Sequence, residues 1–369
     1  MSPDITVLAF YDRIGCFHTL RPFLTAPRDL CRRFHFTNSP DYCLKRDRNQ
    51  ILIMVRRFLK PDVVDMELMQ RLRQKYRRIA FFHDDAGAAI PRLQVLPLVD
   101  LWYNKALFRD RSLYQRSLYG KELYTDYYHR EFGITDPAPI ERPVVSDPAD
   151  LTKLRLSWNI GIGDFPKHTW RQRSAVAIAR TVGIGPVPWF YHRSPFPARP
   201  ARAPAAAAAQ VLNRNRGLFG VHARMRLPGQ PTLDYHRTLM LERITGHPDF
   251  LTGMVPQRRY NYEIRHSRIT LSPFGWGELC FRDFEAVLSG SLLLKPDCSH
   301  LETWPDIFAP HQTYVPFLWD AADLVPTAEH YLTNEAARRR IAAAAYDTFR
   351  EQALQVGPRF RAVIEEIAE

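Results

Sequence analysis

The stretch 268-RITLSPFGWGELCFRDFEAVLSGSLLLKPDCSHLETWPDIF-308 decides the fold. It reads as a strand over 268–274 ending near Ser272 and Pro273, a turn carrying Gly275 and Gly277, a helix over 280–290 and a second strand over 291–296. Strand, helix and strand in such short order form the unit of a parallel sheet. The two glycines permit positive φ and close approach of a ligand to backbone. In an open α/β sheet, ligands sit beyond the carboxyl ends of strands, where a helix N-terminus offers unpaired N–H groups and about half a positive charge. With a helix running from 278 to 290, Glu278, Arg282, Glu285 and Ser289 share one narrow stripe, while Phe281, Phe284, Val287 and Leu288 take the other faces. An arginine on that stripe neutralises a diphosphate, and a carboxylate one turn further accepts two hydrogen bonds from a ribose diol. The plain alternative is a solvated face whose ion pairs contribute only a few tenths of a kcal/mol each.

Outward from this block, the same alternation fills the second half. Strands are expected at 217–224, 250–255 and 313–318, helices at 233–246 and 259–267, and Ala/Glu/Arg-rich helices at 327–353 and 357–369. The first half repeats the pattern with apolar runs at 5–11, 33–38, 50–58, 78–85 and 97–103, a helix over 61–76 opened by proline, and a further strand at 154–161. The tyrosine- and arginine-dense 105–133 reads as helix or structured loop. After a helix at 169–183, the proline density of 185–209 excludes sheet or helix and marks a crossover. The expected architecture is two α/β units: an N-terminal domain over 1–165, a linking helix and Pro/Ala-rich crossover over 166–212, and a C-terminal domain over 213–369.

The run from Glu278 through Arg282 and Glu285 to Gly290 and Leu294 resembles the donor-binding signature of GT-B glycosyltransferases. It is also similar to exostosin-type and spore-coat transferases, where an arginine precedes the second glutamate. Blocks such as SPFGWGE and SHLETWPD resemble the bacterial family 1-like enzymes of surface-polysaccharide synthesis. The resemblance implies two Rossmann-like domains facing across a cleft, an N-terminal acceptor domain, a C-terminal nucleotide-sugar domain, and terminal helices packed back on the interdomain boundary. It assigns the donor ribose to Glu285, the phosphates to Arg282, and the sugar or nucleotide to Glu278. Six residues separate the two glutamates where retaining members typically have seven, which leaves the stereochemical course open.

Other candidates follow from position. Arg224 and Arg226 follow the first strand of the second half and are placed to reach phosphate across the cleft. Arg258, Arg259 and Tyr260 open the helix before the key strand and are candidates for base or phosphate, and His300 follows the second strand of the block. In the first half, 83-HDD-85 ends a strand, so Asp84 or Asp85 is a candidate general base for an acceptor hydroxyl, with a turn cap as the plain alternative. Asn104 and Lys105 occupy the corresponding place after the next strand. A P-loop is absent, and 161-GIGDFP-166 lacks the third glycine of a dinucleotide fingerprint and reads as a turn. Adjacent aspartates without further ligands give no divalent-metal pattern, so a metal-independent enzyme is expected, with the nucleotide sugar as co-substrate and no other cofactor.

Composition bounds the rest. A chain of 369 residues, 46% hydrophobic and 24% charged, is an ordinary globular protein long enough for two cores. The five cysteines are scattered, never in CxxC spacing, and suggest neither a disulfide framework nor zinc. No apolar run reaches the eighteen residues a membrane helix needs, and the opening MSPDITVLAFYDRIGCF lacks a secretory pattern, so a cytoplasmic protein is expected. The formal charge is +12, and only eight of the 51 basic residues are lysine. Arginine favours bidentate contacts with phosphate and carboxylate. The expected reaction moves a hexose or pentose from a nucleotide donor to a hydroxyl of a glycan or lipid-linked saccharide, of lipopolysaccharide or capsule type, with peripheral contact at an anionic membrane face. The alternative is a nucleic-acid-modifying glycosyltransferase or a nucleic-acid-binding protein. Dispersed basic residues and the lack of a nucleic-acid module stand against it.

Overall fold

The computed structural model describes residues 3–10, 17–55, 64–89, 92–140, 142–163, 170–193 and 206–369. The ends of the expected strands 5–11 and 50–58, the opening of the 61–76 helix, the last part of the 161–166 turn and residues 194–205 of the crossover lie outside the described residues. The first domain contains β1 (Ile5–Leu8), α1 (Phe17–Thr25), α2 (Arg28–Cys31), β2 (Phe34–Thr37), α3 (Pro40–Lys45), β3 (Ile51–Val55), α4 (Met66–Lys75), β4 (Arg78–His83), β5 (Leu101–Asn104), β6 (Ala106–Phe108), α5 (Leu123–Phe132), β7 (Leu154–Leu156), α6 (Trp170–Val182) and α7 (Pro186–Arg193). The second contains α8 (Ala208–Arg214), β8 (Phe219–His222), α9 (Pro231–Ile244), β9 (Phe250–Leu251), α10 (Gln257–Ile264), β10 (Ser267–Leu271), α11 (Phe281–Leu288), β11 (Leu292–Pro296), β12 (Leu301–Thr303), β13 (Val315–Phe317), α12 (Leu324–Thr333), α13 (Glu335–Leu354) and α14 (Val356–Ala368).

The first sheet is parallel throughout in the order β2-β1-β3-β4-β5-β7, and the second in the order β9-β8-β10-β11-β13. Every residue of β3 is buried, because helices cover both faces of a parallel sheet and leave no polar side. One face of the first sheet packs Leu52, Met54, Phe81 and Trp102 against α3 and α4. The other packs Ile53 and Phe82 against α1, α6, α7 and Phe360 of α14. In both sheets the strand order reverses beside the first strand, between β1 and β3 and between β8 and β10. That reversal opens a crevice at the carboxyl ends of the strands.

Two elements tie the domains together. Phe360, Val363, Ile364 and Ile367 give α14 one apolar stripe, which leaves the C-terminal sheet and packs on the N-terminal core. Glu366 fixes its end by accepting from Tyr103 Oη and Arg155 Nε, each at 2.5 Å. The second tie is an antiparallel ribbon pairing β6 with β12, in register Leu301↔Phe108 and Thr303↔Ala106.

Several expected elements change on folding. The 97–103 strand begins only at Leu101, since the preceding residues form a 3-10 turn containing Pro97, which has no N–H for a ladder. The 154–161 strand stops at Leu156. The crossover holds helices after all, because Pro186 sits in the first turn of α7, where a missing N–H costs nothing, and 208–214 consists largely of helix formers. The single 327–353 helix is two, divided at Asn334, whose side chain caps α13 by accepting from Ala337 N at 3.1 Å. Among the described residues no helix is long and apolar enough to cross a membrane.

Candidate active site

The turn after β10 is fixed from beneath by a buried acid. Asp283, in the first turn of α11, accepts from Ser272 Oγ at 2.5 Å and from Cys280 N at 2.8 Å. Lys295 of β11 lies 3.1 Å from the same carboxylate, with both side chains fully buried, and its Nζ also reaches Ser272 O at 3.4 Å. The turn is held from the side by His236 of α9. Phe274 N donates to His236 Nε2 at 3.0 Å, so Nδ1 carries the ring proton and donates to Tyr128 Oη at 2.6 Å, while that hydroxyl donates to Trp319 O at 2.6 Å. Burial first, then the nearby Arg237 and Lys295 charges, hold the His236 pKa well below its ordinary value and keep the ring neutral.

Above this floor three polar side chains form a chain along the crevice between β8 and β10. Arg282 Nε donates to Tyr260 Oη at 3.3 Å, and Tyr260 Oη donates to Glu285 Oε2 at 3.1 Å. Arg282 Nη2 also donates to the backbone oxygen of Arg224 at 2.7 Å. On the other flank, Arg237 donates to Phe274 O at 3.0 Å through Nη2 and to Arg226 O through Nη1. Among the described residues neither Arg237 nor Arg282 has a carboxylate within salt-bridge distance. Two half-buried guanidinium groups without a carboxylate partner among the described residues, beside a turn at a topological switch point, have the chemistry to hold a doubly charged anion. His222 ends β8 beneath Tyr260, ring centroids 4.7 Å apart, and burial with the charge of Arg282 lowers its pKa to about 3.

The turn also meets the N-terminal domain. Leu279 N donates to Ala86 O at 3.1 Å, Tyr124 Oη to Gly275 O at 2.8 Å and Lys121 Nζ to Trp276 O at 3.3 Å. Glu278 is fully buried at this seam, accepting from Ala88 N at 3.2 Å and lying 3.7 Å from His300 Nε2. Next to it, Lys121 bridges Asp85 at 3.2 Å and Glu122 at 3.0 Å, and His83 Nε2 is 3.5 Å from Asp85. Burial pushes Glu122 up to about 8 against the pull of Lys121, and Glu278 and Asp85 add to the rise.

Residues 207–356, which include Arg237, Tyr260, Glu278, Arg282, Asp283, Glu285 and Lys295, match the family model described as glycosyl transferase-like. Over that span the chain is similar to the glycosyl transferase-like family. Joined to the first domain by α14 and the β6–β12 ribbon, this unit completes a pair of Rossmann-like domains, the GT-B arrangement. No curated protein sequence matches the chain. Among solved structures the chain is similar to a glycosyltransferase from Rickettsia africae, with TM-score 0.46, 10% identity and coverage of 99% of this chain and 98% of that one. It is similar to the pneumococcal O-GlcNAc transferase GtfA, with TM-score 0.46, 9% identity and coverage of 89% and 60%. It is also similar to the DNA modifying enzyme beta-glucosyltransferase, with TM-score 0.44, 10% identity and coverage of 99% and 99%.

The candidates of the sequence fall in three places. Arg282, Glu285 and Tyr260 come together in the β8–β10 crevice. Glu278 does not share their stripe, because α11 begins only at Phe281; the glutamate precedes the helix and points into the domain seam. Arg224 gives the crevice its carbonyl, while its guanidinium grips buried Glu263 at 2.8 and 2.9 Å, an ion pair that Arg259 joins at 2.6 Å. Gly275 and Gly277 are not at positive φ; what Gly277 supplies is closeness, since a Cβ there would lie 2.4 Å from Gly87 N. The two aspartates part company: Asp84 is bound by Lys105 at 2.5 Å and by Thr19, whereas Asp85 faces Lys121 at the seam.

Sequence reading missed Arg237, His236, Lys121, Glu122 and the Asp283–Lys295 pair. The signal that would have found Asp283 is its spacing, three residues beyond Cys280 at the helix start, where a carboxylate closes a capping box. Arg237 and His236 announce nothing locally, because their partner Phe274 lies 37 and 38 positions away, and Lys121 and Lys295 take their roles from Asp85 and Asp283 only when the fold brings them together.

Proposed function

We propose that this glycosyltransferase moves a sugar from a nucleoside-diphosphate donor to a hydroxyl of a glycan or lipid-linked saccharide, as in bacterial lipopolysaccharide or capsule assembly. The observation that carries the reading is the pair Arg237 and Arg282, cationic and, among the described residues, without carboxylate partners beside the 272–280 turn, with the Tyr260–Glu285 hydrogen bond alongside. The bond that breaks joins the anomeric carbon to the donor's phosphate oxygen. Its electrons go to the leaving diphosphate, whose growing charge the two guanidinium groups offset in a partly desolvated crevice. Glu285 and the Tyr260 hydroxyl bind the ribose diol, and Glu278 orients the sugar at the domain seam.

The bond that forms joins the acceptor oxygen to the anomeric carbon, and the acceptor's proton passes to a carboxylate of the first domain. Asp85 is that base in our reading, since Lys121 and His83 position it at the seam while Asp84 is occupied by Lys105. We place the reaction in the cytoplasm, at or near an anionic membrane surface that supplies a lipid-linked acceptor. A nucleic-acid acceptor is the competing reading, suggested by the charge of +12.

A panel of nucleotide sugars and free nucleoside diphosphates, read by melting temperature, tests the donor, because a ligand that binds only the folded state stabilises it by mass action. One member of the panel should raise the melting temperature, and Arg282→Ala and Glu285→Ala should each abolish the rise. Stabilisation unchanged in both variants removes the site. Turnover with duplex DNA but not with saccharide acceptors removes the acceptor class.

A further inference from the structure

At the opposite end of the C-terminal sheet lies a cavity of about 290 Å³. Gly217 precedes β8, Arg268 lies at the start of β10 and Gly290 precedes β11, so the length of the strands, about 15 Å at 3.3 Å per residue, separates it from the 272–280 turn. Its wall carries Arg216, Arg268, Arg338 and Arg339 against the single carboxylate of Glu335, four positive charges against one negative. Glu335 stands 3.9 Å from Arg338 and 4.0 Å from Arg339 with its side chain 67% exposed, a weak contact in water. Arg216 and Arg268 meet no carboxylate within salt-bridge distance among the described residues; Arg268 Nε donates only to Gly217 O at 3.1 Å.

Arg338 is the inner member of this group. It is 9% exposed, and its Nη1 donates to the carbonyls of Tyr331 and Leu332 at 3.0 and 3.3 Å, closing the end of α12. Burial lowers its pKa against the pull of Glu335, and the charges of Arg268 and Arg339 add to the lowering. The cavity also opens on the first turn of the twenty-residue α13, whose N-terminus adds positive potential. Like charges converging on a hollow cost free energy that a bound anion removes. The volume is at the small end of ligand pockets, and the lining contains no aromatic ring on which a nucleobase would stack.

We propose that this cavity is a second anion site, distinct from the donor crevice, that takes a phosphate-bearing ligand: a free phosphate or diphosphate, or the phosphate headgroup of an anionic lipid. The two sources share one chemistry and differ in what presents it. Arg268 and Arg339 are the side chains to alter, since Arg268 is held by one hydrogen bond, to Gly217 O, and Arg339 by one, to Asn213 Oδ1, besides its weak contact with Glu335.

The test uses the full chain carrying Arg237→Ala and Arg282→Ala, so that diphosphate binding does not report the donor crevice, with and without Arg268→Gln and Arg339→Gln; equal melting temperatures establish that both forms fold. Inorganic pyrophosphate is titrated by calorimetry, and phosphatidylcholine vesicles with and without phosphatidylglycerol are used in flotation. Pyrophosphate binding that weakens about tenfold or more in the glutamine variant supports the site with a free anion as its ligand. Capture by phosphatidylglycerol vesicles that weakens to the same degree supports it with a lipid headgroup as the source. Binding of neither probe, or binding unchanged by the two substitutions, overturns the proposal.

Discussion

Lys295 Nζ lies 3.1 Å from Asp283 Oδ1, and neither side chain touches solvent. The pair ties β11 to the first turn of α11 and, through Ser272 and Cys280, fixes the turn between them. Removing one partner leaves a buried charge uncompensated. Lys295→Met should therefore cost about 3–5 kcal/mol in denaturant unfolding. Adding Asp283→Asn should restore part of it. A loss below about 1 kcal/mol in the single variant would show that the pair does not hold the turn.

Tyr260 stands between Arg282 and Glu285 with its hydroxyl bonded to both. Tyr260→Phe should weaken nucleotide binding about tenfold, the equivalent of one good hydrogen bond, with the ring packing on His222 kept and the melting temperature little changed. Calorimetric titration of the nucleotide that stabilises the wild-type protein reads it. Unaltered affinity would move the ribose away from Glu285.

Much of this arrangement was legible in the sequence, and the limits are physical. The apolar runs gave the central strands of both sheets because a strand buried on both faces can contain little else. The 268–308 block gave strand, turn, helix and strand in order, and with them Arg282 and Glu285 in one crevice. What failed was register at the helix start: a Gly-Trp-Gly-Glu turn looked helical from Glu278, yet Cys280 and Asp283 cap the helix there, and Glu278 stays outside it. The β6–β12 ribbon joins segments almost two hundred residues apart and has no local signature. Arg237 sits on α9, one arginine among many in a basic chain, until the fold brings it over Phe274 O.

Gly277 is pressed against the N-terminal domain, with only 2.4 Å between an added Cβ and Gly87 N. Backbone on both sides leaves no side chain to give way. Gly277→Ala should cost about 1–3 kcal/mol and draw the turn off residues 86–88, lowering kcat more than it raises KM. Wild-type kinetics in the variant would show that the contact between turn and first domain is not used in turnover.

Glu122 supplies a pH signature. Its folded pKa of about 8 lies above the ordinary 4.5 because burial disfavours the carboxylate. The folded protein therefore holds a proton that the unfolded chain releases between those values. The contribution of this group to stability is complete below about pH 4.5 and is lost as pH rises to about 8. Glu122→Gln keeps the neutral shape, so the stability lost between about pH 5 and pH 8 should be smaller in the variant than in the wild type. Equal pH slopes in the two proteins, measured by denaturant unfolding, would contradict a protonated Glu122.

The most direct measurement is a crystal structure of the protein with a bound nucleoside diphosphate. The diphosphate should lie against the 272–280 turn within hydrogen-bond reach of Arg237 and Arg282, with the ribose hydroxyls at Glu285. A nucleotide bound elsewhere, with Arg282 and Glu285 facing open solvent, would contradict the account.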